Sequence, residues 1–132
     1  LKRRQAMDFT ERIIREFKVK ASSPGLKIQT LSGGNIQKLI VGREFLQENR
    51  LLIIEDPTRG IDIGAIEFIW KKIESMAASG AAILLVSHEL HEVMEVSDRI
   101  LVMYDGKLYD AGEHGEKSET EIGLLMTGGG CA

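Results

Sequence analysis

Two short apolar runs flank a helical pattern, and this order constrains the chain more than any other feature. Leu51, Leu52, Ile53 and Ile54 follow one another without a polar break, as do Ala82, Ile83, Leu84, Leu85 and Val86. Each run is too short for a buried helix, and an unbroken apolar stretch suits a strand covered on both faces. Between them Ile66, Ile69, Ile73 and Met76 keep helical spacing until Gly80 supplies a stop. Strand, helix and strand in one sheet imply a right-handed parallel crossover. The fold class is therefore α/β.

The flanking sequence supports that class. Phe9, Ile13 and Phe17 recur every four residues among Glu11, Arg12, Arg15 and Glu16, the stripe of an amphipathic packing helix over 7–17. Ser22, Ser23, Pro24 and Gly25 mark a loop within 21–30. A second helix is expected to open at Ser32 and run to about residue 49 with Ile36, Leu39, Ile40 and Phe45 on its buried side. A short helix at 90–95 leads into a third strand at 99–104. Asp105-Gly106 then forms a tight turn into a partner strand at 107–110. The acidic stretch 112–121 reads as loose, with a last helical turn at 122–126 before a glycine-rich tail.

Composition narrows the function. A net charge of −3 and a pI near 5.7 argue against a nucleic-acid partner, since Lys2, Arg3 and Arg4 form the one basic run and read as a solvated edge. No apolar stretch reaches the length of a membrane span. Cys131 is the single cysteine, fits a reducing compartment, and reads as a surface thiol without a role.

Three places carry possible chemistry. Glu55 and Asp56 close the first strand, where polar groups face the ligand crevice of an open parallel sheet; two acids there hold a metal ion and activate a water, or are simply solvated in the turn before Pro57. Ser32, Gly33 and Gly34 open a helix, whose unpaired N–H groups suit a phosphate, or they are a plain cap. His88 stands just beyond the strand 82–86, as a site residue or as a surface imidazole.

In this order and at these spacings the pieces resemble the nucleotide-binding subunits of ABC transporters. Leu31, Ser32, Gly33, Gly34, Asn35, Ile36, Gln37 and Lys38 are similar to the signature motif, 51–56 to the Walker B strand, Gly60, Ile61 and Asp62 to the D-loop, and Ser87 with His88 to the switch histidine. Asn35 in place of the more usual Gln, with the stretches 57–65 and 97–103, is similar to the branch importing simple sugars and nucleosides, in the second of its two tandem ATPase domains. The resemblance extends over about residues 7–128. It implies a partial ATPase domain at 1–128, with a helical signature region at 1–50, the Walker B to C-terminal part at 51–128, and a disordered tail at 129–132. It further implies ATP and Mg²⁺ as cofactors. Leu31, Ser32, Gly33, Gly34, Asn35 and Asp62 would face an ATP on an opposing nucleotide-binding domain, with Ser32, Gly33 and Gly34 gripping its γ-phosphate. Glu55 would bind the metal through water, Asp56 would polarise the attacking water, and His88 would touch the γ-phosphate. A transmembrane permease, and indirectly a substrate-binding protein, would be partners, and the location would be cytoplasmic at the inner face of the membrane.

Two departures follow from the residues themselves. The family's order at the strand end is Asp then Glu, and here it is Glu55 then Asp56. Each carboxylate is displaced by a methylene, and because a misplacement of about 1 Å costs on the order of a hundredfold in rate, a binding-only site is a reading alongside a hydrolytic one. No Gly-x-x-x-x-Gly-Lys-Ser/Thr occurs, so the phosphate loop is absent. The chain begins with Leu and is expected to be the C-terminal half of an ATPase domain, a P-loop NTPase fold lacking its phosphate-loop strand and inactive alone. In the family's sheet that strand lies between those matching 82–86 and 99–104, so these edges are expected either to self-associate or to pair directly. The rival classes are a chromosome-maintenance or repair ATPase, disfavoured by the acidic charge and the lack of sustained heptads, and a non-enzymatic interaction module.

Overall fold

A computed structural model describes residues 2–130. Its elements are α1 (Arg3–Glu16), a 3-10 turn (Ile28–Thr30), α2 (Gly33–Phe45), β1 (Leu51–Glu55), α3 (Ile63–Ala78), β2 (Ala82–Val86), α4 (Leu90–Val96), β3 (Arg99–Tyr104), β4 (Lys107–Glu113) and α5 (Glu119–Met126). They fall into two compact units. One takes the chain up to residue 52 together with 57–84, and the other takes 53–56 together with the chain from 85 onward.

The first unit is organised by a close helix crossing. Ile13 and Phe17, the buried end of the α1 stripe, lie against α2 at Gly42, where a Cβ would meet the Ile13 Cγ2 at 2.6 Å and the Phe17 ring at 2.8 Å. Only a residue without a side chain admits that approach. Phe17 then meets Phe68 of α3 edge-on, with ring centroids 5.3 Å apart, and tilts against Phe45 of α2 at 6.2 Å. Ile69 and Ile73 of α3 are buried, as the helical spacing requires. The buried residues of α2 are Lys38, Val41 and Gly42, whereas Ile40 is exposed and Ile36, Leu39 and Phe45 are half-buried. The expected buried side was therefore displaced, because the contact is set by the small residue at 42 rather than by the largest apolar ones. The helix also ends at Phe45, short of residue 49.

β1 and β2 pair in parallel. Ala82 N donates to Arg50 O in the first unit and Asp56 N to Val86 O in the second, so the partners advance together. The expectation that both strands are covered on both faces does not hold. Leu52 is buried, but Leu51 and Ile53 are 61% and 65% exposed, and Leu84 and Val86 of β2 are exposed too. Successive side chains leave a strand on opposite sides. On the Leu52 side of β1, Leu52 is buried and Ile54 half-buried, while the other side is exposed.

The second unit centres on an antiparallel hairpin. Asp105 and Gly106 both have positive φ, 47° and 72°, the pair of left-handed residues that a two-residue turn needs to match strand twist. β4 extends to Glu113 rather than stopping at 110, because a bulge between Ile100 and Leu101 lets the ladder continue from Asp110 to Gly112. Ala111, at the bulge, is buried with Ile100, Val102 and Ile122, against Leu90, Val93 and Met94 of α4 and Leu125 of α5. The stretch 112–121 is thus not loose. It holds the end of β4 and the start of α5, where Ser118 accepts from Glu121 N while the Glu121 carboxylate accepts from Ser118 N and Oγ. Gly129 and Gly130 lie in turns, and Cys131 and Ala132 are outside the described residues.

β1–β2 and β3–β4 are separate two-stranded sheets. Direct pairing of β2 with β3 does not occur, so neither strand takes the other as a substitute neighbour.

Two measurements test this packing. Gly42→Leu should lower stability by about 1–3 kcal/mol in a urea titration, because overpacking at the α1–α2 crossing must push Ile13 and Phe17 aside. The Ser118 hydrogen bonds hold the Glu121 carboxyl below its ordinary value of 4.5. A depressed folded value means the cap's contribution is present above the ordinary Glu range and is lost as pH falls through the folded value. In an NMR titration the Glu121 midpoint should therefore lie below 4.5, and Ser118→Ala should move it upward.

Candidate functional site

Ser32 is the N-cap of α2, with extended backbone (φ −68°, ψ 157°) and an exposed side chain. The first bond within the helix runs from Ile36 N to Ser32 O. The N–H groups of Gly33, Gly34 and Asn35 precede it and point out of the helix end. The Ser32 hydroxyl makes no capping bond to α2; it accepts from Asn35 Nδ2 at 2.8 Å. Asn35 Oδ1 in turn accepts from Lys20 N at 2.7 Å, tying the start of α2 to the segment that follows α1.

The two glycines have different reasons. A Cβ at Gly33 would meet open space, so backbone approach by a ligand is unobstructed there. A Cβ at Gly34 would sit 2.7 Å from Gly60 O, so this glycine admits the loop 57–62 of the same unit. Gln37 Nε2 donates to Pro57 O at 3.4 Å, and Lys38 Nζ donates to Asp62 Oδ2 at 2.6 Å. Leu31 is half-buried just before the cap. Asp62, the N-cap of α3, keeps a largely exposed side chain, and the Lys38 hydrogen bond holds its carboxyl below the ordinary carboxylate range.

In the second unit β1 ends at Glu55, which is exposed. Asp56 follows with φ 44°, a left-handed conformation that Asp tolerates better than most residues. Its carboxylate accepts from His88 N at 3.1 Å, and both of its oxygens lie 3.1 Å from His88 Nδ1. A carboxylate can only accept, so this geometry uses the Nδ1–H form of the ring and leaves Nε2 facing outward. The His88 side chain is 79% exposed, while that of Asp56 is 16% exposed. Asp56 and His88, read separately in the sequence, thus form one pair.

The donor chemistry fits magnesium. Mg²⁺ keeps several waters and takes one or two carboxylates together with substrate phosphates rather than an all-protein cage. Glu55 offers such a carboxylate at an exposed strand end.

Gln37, Lys38 and Gly60 were read in the sequence as members of the two motifs but without a contact or role of their own. The sequence carried no signal for these contacts, because the partners of Gln37 and Lys38 lie 20 and 24 positions away.

No family model matches the chain. Curated relatives do. The chain is 45% identical over 116 residues to the guanosine import ATP-binding protein NupO of Bacillus subtilis, covering 88% of the chain and 23% of that protein. It is 43% identical over 111 residues to the ribose import ATP-binding protein RbsA of Geobacillus kaustophilus, covering 84% and 22%. It is 53% identical over 95 residues to the xylose import ATP-binding protein XylG of Escherichia coli, covering 72% and 18%. The chain therefore spans about a fifth of the length of these relatives. Among solved structures, the ATP-binding subunit of an ABC transporter superposes with a TM-score of 0.74 at 25% identity, over 96% of this chain and 56% of that one. Among the described residues no helix is long and apolar enough to cross a membrane. Over the region it spans, the chain belongs to the ATP-binding proteins of ABC transporters, beside members that import sugars and nucleosides.

Proposed function

We propose that this chain is the C-terminal part of the second ATPase domain of an importer for a sugar or nucleoside, coupling ATP binding and hydrolysis to uptake. The observation that carries this reading is Ser32 at the exposed start of α2 with open space at Gly33. Three backbone N–H groups, a hydroxyl and the positive end of a 13-residue helix converge there, the arrangement that suits a phosphate. Ser32, Gly33 and Gly34, with Leu31 and Asn35 beside them, would meet the γ-phosphate of an ATP held by an opposing nucleotide-binding domain, and Asp62 would stand at that interface.

Glu55 would hold magnesium through water, and the metal when bound would neutralise charge on the phosphates. Asp56 would orient the attacking water, while His88, its Nδ1–H held by Asp56, would turn Nε2 to the phosphate. A permease would be the membrane partner, with the ATPase peripheral at the cytoplasmic face. The chain alone, without a phosphate loop, would hydrolyse nothing.

In the complete ATP-binding protein, Ser32→Glu removes a donor and sets a like charge against the γ-phosphate. ATP affinity by calorimetry should fall about tenfold or more; an unchanged affinity would remove the signature role. The isolated chain, with Leu84, Val86, Leu101 and Met103 exposed, should self-associate. Sedimentation velocity should give a mass above 14.6 kDa, and Met103→Lys should reduce it.

A further inference from the structure

Lys38 occupies an unusual position. It lies mid-way along α2, only 8% exposed, with its ammonium on Asp62. A buried ammonium without a partner is costly, so the pair is required wherever Lys38 stays inside. Asp62 is equally informative. As the N-cap of α3 it is a residue type that ordinarily bonds the helix's own N–H groups, yet its side chain makes no full capping bond and only a weaker interaction with Ala65 N–H. Its Oδ2 reaches back to α2, and the Lys38 hydrogen bond is the main reason its carboxyl lies below the ordinary carboxylate range.

The segment between is held at its other points by the same helix. Pro57 is fully buried and Thr58 buried. Gln37 donates to Pro57 O, and Gly60 O lies where a side chain on Gly34 would stand. Three positions along α2 therefore seat the loop 57–62: Gln37 at its beginning, Gly34 at its middle and Lys38 at its end. The middle contact is only an absence of bulk and the first is a long hydrogen bond, so the ion pair is the strong member of the three.

We propose that Lys38 is a positioning residue that clamps the loop 57–62 onto the helix opening with Ser32, so that the Asp62 loop and the helix start are presented as one preset surface. The clamp is a property of the first unit alone; its consequence for nucleotide rests on the function proposed above. Because the Asp62 side chain is 67% exposed, it becomes solvated when Lys38 is replaced by an apolar residue of similar length. Lys38→Met therefore separates positioning from stability: the stem's packing remains, no buried charge is stranded, and the loop is released.

The test has two arms. In the full chain, amide hydrogen exchange should show protection of the Ile61 amide, which donates to Thr58 O, falling about tenfold in Lys38→Met, with protection in α1 and the urea midpoint unchanged, and with Lys38→Arg restoring the wild-type pattern. Asp62→Asn removes the opposing charge and should release the same amide even if Lys38→Met fails to fold, with a lower urea midpoint because the buried Lys38 ammonium loses its charge partner. Unchanged exchange at Ile61, or loss of protection spread equally over α1 and α2, overturns the clamp. In the complete ATP-binding protein, Lys38→Met should weaken ATP several-fold through lost preorganisation, on the order of threefold to tenfold, and Lys38→Arg should recover it. Wild-type affinity in Lys38→Met, where Ser32→Glu does weaken ATP, overturns the positioning role. No effect of Ser32→Glu itself overturns the nucleotide reading while leaving the exchange result to decide the clamp.

Discussion

The crossing of α1 over α2 at Gly42 is the constraint on which the first unit depends. Ile13 and Phe17 approach the α2 backbone so closely that no side chain fits at that position. Phe17 reaches on to Phe68, so one aromatic ring joins three helices. With that face of α2 committed to α1, its rotation is settled, and the positions of Gly34, Gln37 and Lys38 follow. They meet the loop 57–62 while the helix start remains exposed. A packing decision near the helix's end thus determines what its beginning presents.

In the second unit the organising pressure is different. A hairpin with one apolar face is marginal in water until that face is covered. Ile100, Val102 and Ala111 find their cover in α4 and in Ile122 and Leu125 of α5, and the bulge opposite Ile100 and Leu101 brings Ala111 into that contact. The last helix is accordingly part of the core rather than an appendage, and its reciprocal cap at Ser118 marks where it begins.

Local patterns were legible where one residue pair or one period decides the structure. The spacing of Ile69 and Ile73 located α3, Asp105-Gly106 located the turn, and the parallel relation of β1 to β2 followed from the helix between them. What stayed hidden depends on contacts distant in sequence. Burial of Lys38 needs Asp62, 24 positions away, and Gly42 as a contact point needs α1. A glycine or lysine in an amphipathic pattern carries no mark of a neighbour that far off. Unbroken apolar runs likewise announce two covered faces without saying where the covers come from, which is why Leu51 and Ile53 emerged exposed. At the site, the helix start and the strand-end acids could be read as candidates from residue type. The Asp56–His88 pairing and the division of labour between Gly33 and Gly34 required geometry.

Asn35 draws one more consequence from its two bonds. Lys20 N needs an acceptor, which fixes the amide with Oδ1 toward Lys20 and Nδ2 toward Ser32. The Ser32 oxygen is thereby engaged as an acceptor, and its own hydrogen is left to rotate among the remaining directions, those open to solvent. An oxygen already receiving a hydrogen bond gives up its proton's partial charge more readily to the next acceptor. A glutamine at 35 would carry its amide one methylene farther out and could not span both partners from the same backbone without a shift. The hydroxyl at the mouth of this helix is in that sense polarised from behind, its direction chosen by a side chain that need never touch an incoming anion.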